Sequence, residues 1–188
     1  MNKKYSIRGV NLNSEILVGL SILPFIIISG IVTPIFFNHL TNVDYNNIPF
    51  YVVFGGLTFG AYIGLFFAKF LGKRMSSIWN IELANNDLSI GFKEKKLRFN
   101  LDDVSKFKIY GNPNFKYVSF FLLDNQYIKM RIGNSGLTPF SSKEDLQNLD
   151  AFLKDLQPYF EKEYHKIDKL KKVSPPGTVK LTYLKEKK

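Results

Sequence analysis

Apolar residues fill two uninterrupted stretches near the start of the chain, Ile16–Phe37 and Ile48–Leu71, with only the segment Asn38–Asn47 between them. A helix needs about 20 residues to cross roughly 30 Å of hydrocarbon, and each stretch exceeds that length. The first holds no charged side chain, and the second only Lys69, close enough to its end to snorkel toward water. The pattern predicts a transmembrane helical hairpin over residues 15–75, with spans at 16–37 and 48–71. The first stretch is too long for the apolar region of a cleaved signal, and a second apolar run follows it. Pro24 and Pro34 are expected to kink or end the first helix locally.

From Ser76 the period changes to two. Trp79, Ile81 and Leu83 alternate with Asn80 and Glu82; Leu88, Ile90 and Phe92 with Ser89 and Gly91; Leu97, Phe99 and Leu101 with Arg98 and Asn100. After a corner at Asp102–Asp103, Phe107 and Ile109 alternate with Lys106, Lys108 and Tyr110. Gly111–Phe115 is predicted as a loop, and Tyr117–Leu123 as a strand apolar on both faces. Ile128, Met130 and Ile132 then alternate with Lys129 and Arg131, and a short strand is expected near Leu137–Phe140. Alternation over many closely spaced strands predicts an antiparallel meander with one buried face.

A helix follows, with Ser141 or Ser142 as cap and Glu144 or Asp145 completing a capping box. Leu146, Leu149, Phe152, Leu153, Leu156 and Phe160 recur at helical spacing, and the stripe is predicted to run on through Tyr164, Ile167 and Leu170 until Ser174–Gly177. Thr178–Leu184 alternates again, as a final strand would.

Six or seven meandering strands closed by one amphipathic helix resemble the pleckstrin-homology (PH) superfold. With a two-span hairpin upstream, the chain resembles small bacterial membrane proteins carrying a PH-like domain. The marks of the resemblance are Trp79-x-Ile81, Leu88-x-Ile90 and Leu101-Asp102-Asp103-Val104 ahead of a basic and apolar strand. It implies an α+β chain: a transmembrane helical hairpin and a PH-like antiparallel β-meander or barrel, capped by a C-terminal amphipathic helix. The expected division is a basic N-terminus at 1–14, the hairpin at 15–75, a PH-like cytoplasmic domain at 76–165 and a basic tail at 166–188. Phosphoinositide-binding members carry Lys and Arg around the first strand turn, which here reads Ala84-Asn85-Asn86-Asp87. Lys93, Lys95, Lys96 and Arg98, one turn later, are the substitute candidates for anionic-lipid contact.

Charge sets the expected orientation. Lys3, Lys4 and Arg8 precede the first span, Lys69, Lys73 and Arg74 close the second, and the loop between has neither Lys nor Arg. Basic residues near span ends stay on the cytoplasmic side, so both termini are expected in the cytoplasm of a bacterial inner membrane. Lys69, Lys73 and Arg74 are further candidates for anionic headgroups. Of the formal +10, residues 76–165 contribute nothing, with 12 Lys/Arg against 12 Asp/Glu. The excess is therefore expected beside the membrane and in the tail rather than on a folded face, which argues against nucleic acid.

Gly56, Gly60 and Gly64 recur every fourth residue on one face of the second span, with Ser29 and Thr33 as a small pair on the first. Small residues let helices in lipid approach closely, so this face is expected to seat the first span, a second copy or another membrane protein. The chain has no cysteine and two histidines, His39 and His165, one on each predicted side of the membrane. No paired catalytic carboxylates, phosphate loop, metal set or cofactor motif is legible. The expectation is a non-enzymatic, membrane-anchored PH-like module binding a protein partner or the inner-leaflet surface. The alternative is an immunity or resistance protein against an envelope-directed toxin or bacteriocin.

Overall fold

The computed structural model describes residues 2–135, 138–168 and 177–185. The chain divides into two compact units, residues 13–74 and residues 1–12 together with 75–188. The N-terminal segment expected as a separate basic arm is in fact strand β1 (Asn2–Asn11), so the hairpin interrupts the other unit after its first strand. The reason is pairing: Lys4, Ser6 and Arg8 alternate with Tyr5, Ile7 and Gly9, and the segment lies in register from Asn2↔Ala84 to Gly9↔Ser77 on the strand that follows the hairpin.

In the hairpin unit, helix α1 (Leu12–Leu20) and helix α2 (Leu23–Thr41) are separated by a turn at Ser21–Ile22. Pro24 lies in the first turn of α2, where its missing N–H leaves no helical hydrogen bond broken. Pro34 lies inside the same helix. Asn42 ends α2 in the left-handed conformation with its N–H on the carbonyl of Asn38, while the Asn38 side chain donates to the carbonyl of Val43 at 2.7 Å. Helix α3 (Phe50–Met75) returns. Residues 12–41 and 50–75 are each long and apolar enough to cross a membrane, by length and composition. Large apolar side chains cover their outward faces, with Phe50 79 % and Phe66 73 % exposed, where a soluble core helix would bury them.

The second unit is an antiparallel α+β domain. Its remaining strands are β2 (Ser77–Ala84), β3 (Asp87–Phe92), β4 (Lys95–Asn100), β5 (Val104–Asn112), β6 (Phe115–Leu122), β7 (Tyr127–Ser135), β8 (Thr138–Pro139), β9 (Tyr164–Asp168) and β10 (Val179–Lys185). They pair in the order β4-β3-β2-β1-β7-β6-β5-β10-β9, with β8 on β7. The order ends at β4 and β9, an open sheet rather than a closed barrel. Strand β1 belongs to two ladders: Asn2–Gly9 pair with β2, and Val10–Asn11 pair with Arg131 and Met130 of β7. At the changeover a Cβ on Gly9 would lie 2.5 Å from the carbonyl oxygen of Arg131. Gly9→Ala is expected to lower stability by about 1–3 kcal/mol through this overpacking, and faster amide hydrogen exchange along Val10–Asn11 would report it.

Helix α4 (Lys143–Glu163) is started by Ser142, whose side chain accepts from Asp145 N–H while the Asp145 carboxylate accepts from Ser142 N–H. Leu146, Leu149, Phe152, Leu156 and Phe160 are buried against the sheet in one core with Ile7, Trp79, Ile81, Phe107, Phe120 and Tyr183. The helix does not continue through Tyr164 and Ile167 as the stripe predicted. Tyr164 leaves the helix in extended conformation and begins β9, its hydroxyl donating to the carbonyls of Leu101 (2.8 Å) and Val104 (2.7 Å). Strand pairing with β10 satisfies the backbone that a longer helix would have satisfied internally. Leu170 and Ser174 lie outside the described residues, as does Leu137 of the short strand expected before the helix. The loop expected at Gly111–Phe115 shrinks to Pro113–Asn114, because the ladder runs to Asn112↔Phe115. Residues 166–168 and 179–185 of the expected tail lie in strands of the sheet.

Candidate interaction surface

The charges of residues 76–165 are neutral in sum but separated in space. Half of the twelve acidic residues between 76 and 165 sit on α4. Cations on the helix side of the sheet meet them there: Lys3 pairs with Asp155 at 2.6 Å, Lys116 with Asp150, and Lys166 with Glu161 at 3.1 Å. Tyr5, packed on Phe152 with ring centroids 5.3 Å apart, also donates to Asp155. The Lys3 and Tyr5 hydrogen bonds hold the Asp155 carboxyl below its ordinary range, while burial and then the bond to Asp155 push the Tyr5 phenol up to about 12.

These directions set the pH limbs of stability. A depressed carboxyl stabilises the fold above the unfolded carboxylate pKa of about 3.9 and loses that contribution as pH falls through the lower folded value. A raised phenol stabilises fully below about 10 and loses its contribution as pH rises toward the folded value. Asp155→Asn is expected to flatten the acid limb and to change the basic limb less, since burial is the larger cause of the raised phenol, in urea titrations followed by the fluorescence of Trp79, the only tryptophan. An unchanged acid limb would show that other carboxyls carry it.

The opposite face of the sheet carries different chemistry. A β-bulge places Ser105 between the pairs Val104↔Leu122 and Lys106↔Phe121, with the Ser105 hydroxyl donating to the carbonyl of Phe121 at 3.0 Å. This extra residue turns Phe107 and Ile109 toward the core and Lys106 and Lys108 outward. Register then sets out rows across the strands. One row runs Leu184, Lys106, Phe121, Tyr127; the next Thr182, Lys108, Ser119, Lys129; the third Lys180, Tyr110, Tyr117, Arg131. Every ionisable side chain in these rows is a cation or a tyrosine. Ammonium groups lie over the rings: Lys129 is 4.5 Å from the Tyr117 centroid, and Lys106 and Lys108 are each 5.5 Å from that of Phe121. Arg131 is buried among Phe140, Tyr117 and Phe115, at 4.6, 5.6 and 5.8 Å. Above β5 and β10 a cleft of about 380 Å³ is lined by Lys106, Lys108, Lys180, Tyr110 and Thr182, with apolar neighbours.

A basic face interleaved with aromatics on a folded surface therefore exists, contrary to the expectation that the charge lies only beside the membrane and in the tail. The signal was present as strand parity: 106, 108, 117, 129 and 131 all fall on the positions that alternate with core residues. What the alternation could not reveal is which strands are neighbours, or that Lys180 of the tail joins them.

The residues expected to meet anionic lipid are distributed differently. Lys96 and Arg98 are held by carboxylates, Lys96 at 3.9 Å from Glu82 and Arg98 at 2.8 Å from Asp87. Hydrogen bonds from Lys4 to Glu82 and from Arg98 to Asp87 lower both acids below their ordinary range. Lys93 and Lys95 flank the β3–β4 turn, with the Lys93 ammonium 5.8 Å from the Phe92 ring. Lys69, Lys73 and Arg74 lie toward the end of α3, Arg74 over Phe70 at 5.3 Å.

The glycine row faces α2. Added Cβ atoms at Gly56, Gly60 and Gly64 would meet Thr33 Cβ at 2.7 Å, the carbonyl of Phe25 at 2.4 Å and Ile22 Cγ2 at 2.9 Å. Ser29 Oγ donates to the Gly56 carbonyl at 2.7 Å. The row is occupied from within the chain, so a second copy would need another face. Among the described residues no group of three or more His, Asp or Glu side chains is placed to hold a metal ion. Lysines and aromatic rings together make up the outer face of the sheet. No family model matches the chain, and neither a curated protein nor a solved structure does.

Proposed function

We propose that this chain is a non-enzymatic, membrane-anchored module of a bacterial inner membrane whose PH-like cytoplasmic domain binds a protein partner or the inner-leaflet surface. The observation that carries the reading is the insertion of two long apolar helices between the first two strands of a sheet domain. Along the chain, α1 begins directly after β1, and only Ser76 separates α3 from β2. A PH-like identity is supported by the strand order, in which the runs β1–β4 and β5–β7 meet through β1 and β7 and are followed by α4. The absence of Lys and Arg from residues 38–47 supports a loop outside the cytoplasm.

Because the chain has no cysteine, single cysteines report topology directly. In intact cells a membrane-impermeant maleimide is expected to label Asn46→Cys and to spare Asn125→Cys, and alkaline carbonate is expected to leave the protein in the membrane fraction. Release by carbonate, or labelling of both positions, would sink the reading.

A further inference from the structure

We infer that the basic and aromatic face of β10-β5-β6-β7 docks on the acidic phospholipid headgroups of the membrane that holds the hairpin. The inference rests on the membrane-anchored reading and names the surface it uses.

Charge complementarity is the first argument. The rows across this face hold Lys106, Lys108, Lys129 and Lys180, with Arg131 buried among aromatic rings, and no carboxylate, while α4 on the other side of the sheet collects the acids. Cations within a Debye length of an acidic leaflet each add attraction, and the effect fades over about 10 Å at 0.1 M salt. The second argument is the route of the chain. Strand β1 runs antiparallel to β7, pairing Val10 with Arg131 and Asn11 with Met130, and the next residue, Leu12, opens the first apolar helix. Continuing in that direction along β7, Lys129 and Tyr127 are the outward-facing residues next to the place where β1 ends. At the same end of β6 and β7, Leu123 is 61 % exposed and Tyr127 43 % exposed. Leu123, Tyr127 and Lys129 share this rim with the exposed Asp124 of the same turn, so apolar, aromatic and basic side chains that suit a bilayer interface outnumber the turn's one carboxylate.

The cleft of about 380 Å³ between Lys106, Lys108 and Lys180 offers room for a headgroup phosphate, with the Thr182 and Tyr110 hydroxyls as donors. A single-stranded nucleic acid fits less well. It would need bare ring faces on which to stack its bases, and here lysines lie over Phe121 and Tyr117.

The test uses the full chain in lipid nanodiscs, with Tyr127→Cys as its only thiol carrying an environment-sensitive dye. Discs are made from phosphatidylcholine alone or with added phosphatidylglycerol, each containing a headgroup spin label as quencher. Quenching is expected in the acidic discs, much less in the zwitterionic ones, and is expected to fall as salt is raised. Neutralising Lys106, Lys108 and Lys180 to Gln is expected to shift the docked-to-undocked ratio by about fivefold per lysine at low salt. Trp79 fluorescence checks that the variant is folded, and the salt dependence of the parent chain stands as a second measure if it is not. Equal quenching in both lipids would overturn the inference, since charge would not be the cause. So would no quenching in either while the chain stays in the disc, or capture of RNA or an acidic peptide by these lysines in place of lipid. Failure of the chain to enter discs at all would instead overturn the anchored reading.

Discussion

Phe107→Ala is expected to destabilise the sheet domain by about 3–5 kcal/mol, a large fraction of the 5–15 kcal/mol that holds a typical domain. Phe107 is 1 % exposed and stacks on Phe160 at 4.4 Å and on Phe120 at 4.8 Å, with Tyr183 at 5.9 Å. It therefore joins helix α4, the strand β6 and the last strand β10 in a single aromatic column. Truncation removes the apolar area and leaves a cavity whose walls belong to three elements, so collapse around it is limited. Urea unfolding followed by Trp79, which is buried and stacked on Phe92 at 4.2 Å, reads the loss. A change under about 1 kcal/mol would be that of an ordinary surface substitution and would remove Phe107 from the centre of the core.

Gly60→Leu is expected to break the packing of the two apolar helices. The first added carbon would lie 2.4 Å from a backbone carbonyl and 2.7 Å from Ser29 Cβ, and backbone cannot step aside as a long side chain can. Relief requires separating α2 from α3, at a cost of about 1–3 kcal/mol or more from overpacking. The same separation lengthens the Ser29 to Gly56 hydrogen bond, an interaction of about 0.6 kcal/mol in a typical membrane protein. Crosslinking of Phe25→Cys to Phe67→Cys by a short bifunctional thiol reagent, at positions whose parent rings lie 5.2 Å apart across the two helices, is expected to fall sharply when Gly60→Leu is added. Leucine at Gly55, where a Cβ meets nothing within 4 Å, is the matched control and is expected to leave crosslinking unchanged. Equal crosslinking in both would show that the glycine row is not the contact.

Much of the sheet domain was readable because its rules are local. Period-two alternation from Trp79 to Phe99 placed β2, β3 and β4 within a residue or two, and Ser142 with Asp145 placed the start of α4. Two errors share one cause. The segment Asn2–Asn11 alternates too weakly to declare a strand, and Tyr164–Ile167 can be read on a helical stripe. In each case the outcome depends on a partner far away in the chain, Ser77–Ala84 for the first and Thr182–Lys185 with the Leu101 and Val104 carbonyls for the second. The neutral charge of residues 76–165 misled for a related reason, since a sum over sequence cannot see that acids gather on α4 while lysines gather on the other face of the sheet.

By itself the sequence determined the two apolar helices, the glycine row between them and the alternation of core residues, because length, the presence of a Cβ and strand parity are properties of a residue and its near neighbours. The tertiary structure decided that the hairpin interrupts the sheet after β1, since Gly9 and Val10 find their partners only across the fold. It also decided that Lys106, Lys108, Lys129 and Lys180 form one surface. That surface is made by the register of four strands and a bulge at Ser105, and register is fixed by what the opposite face buries.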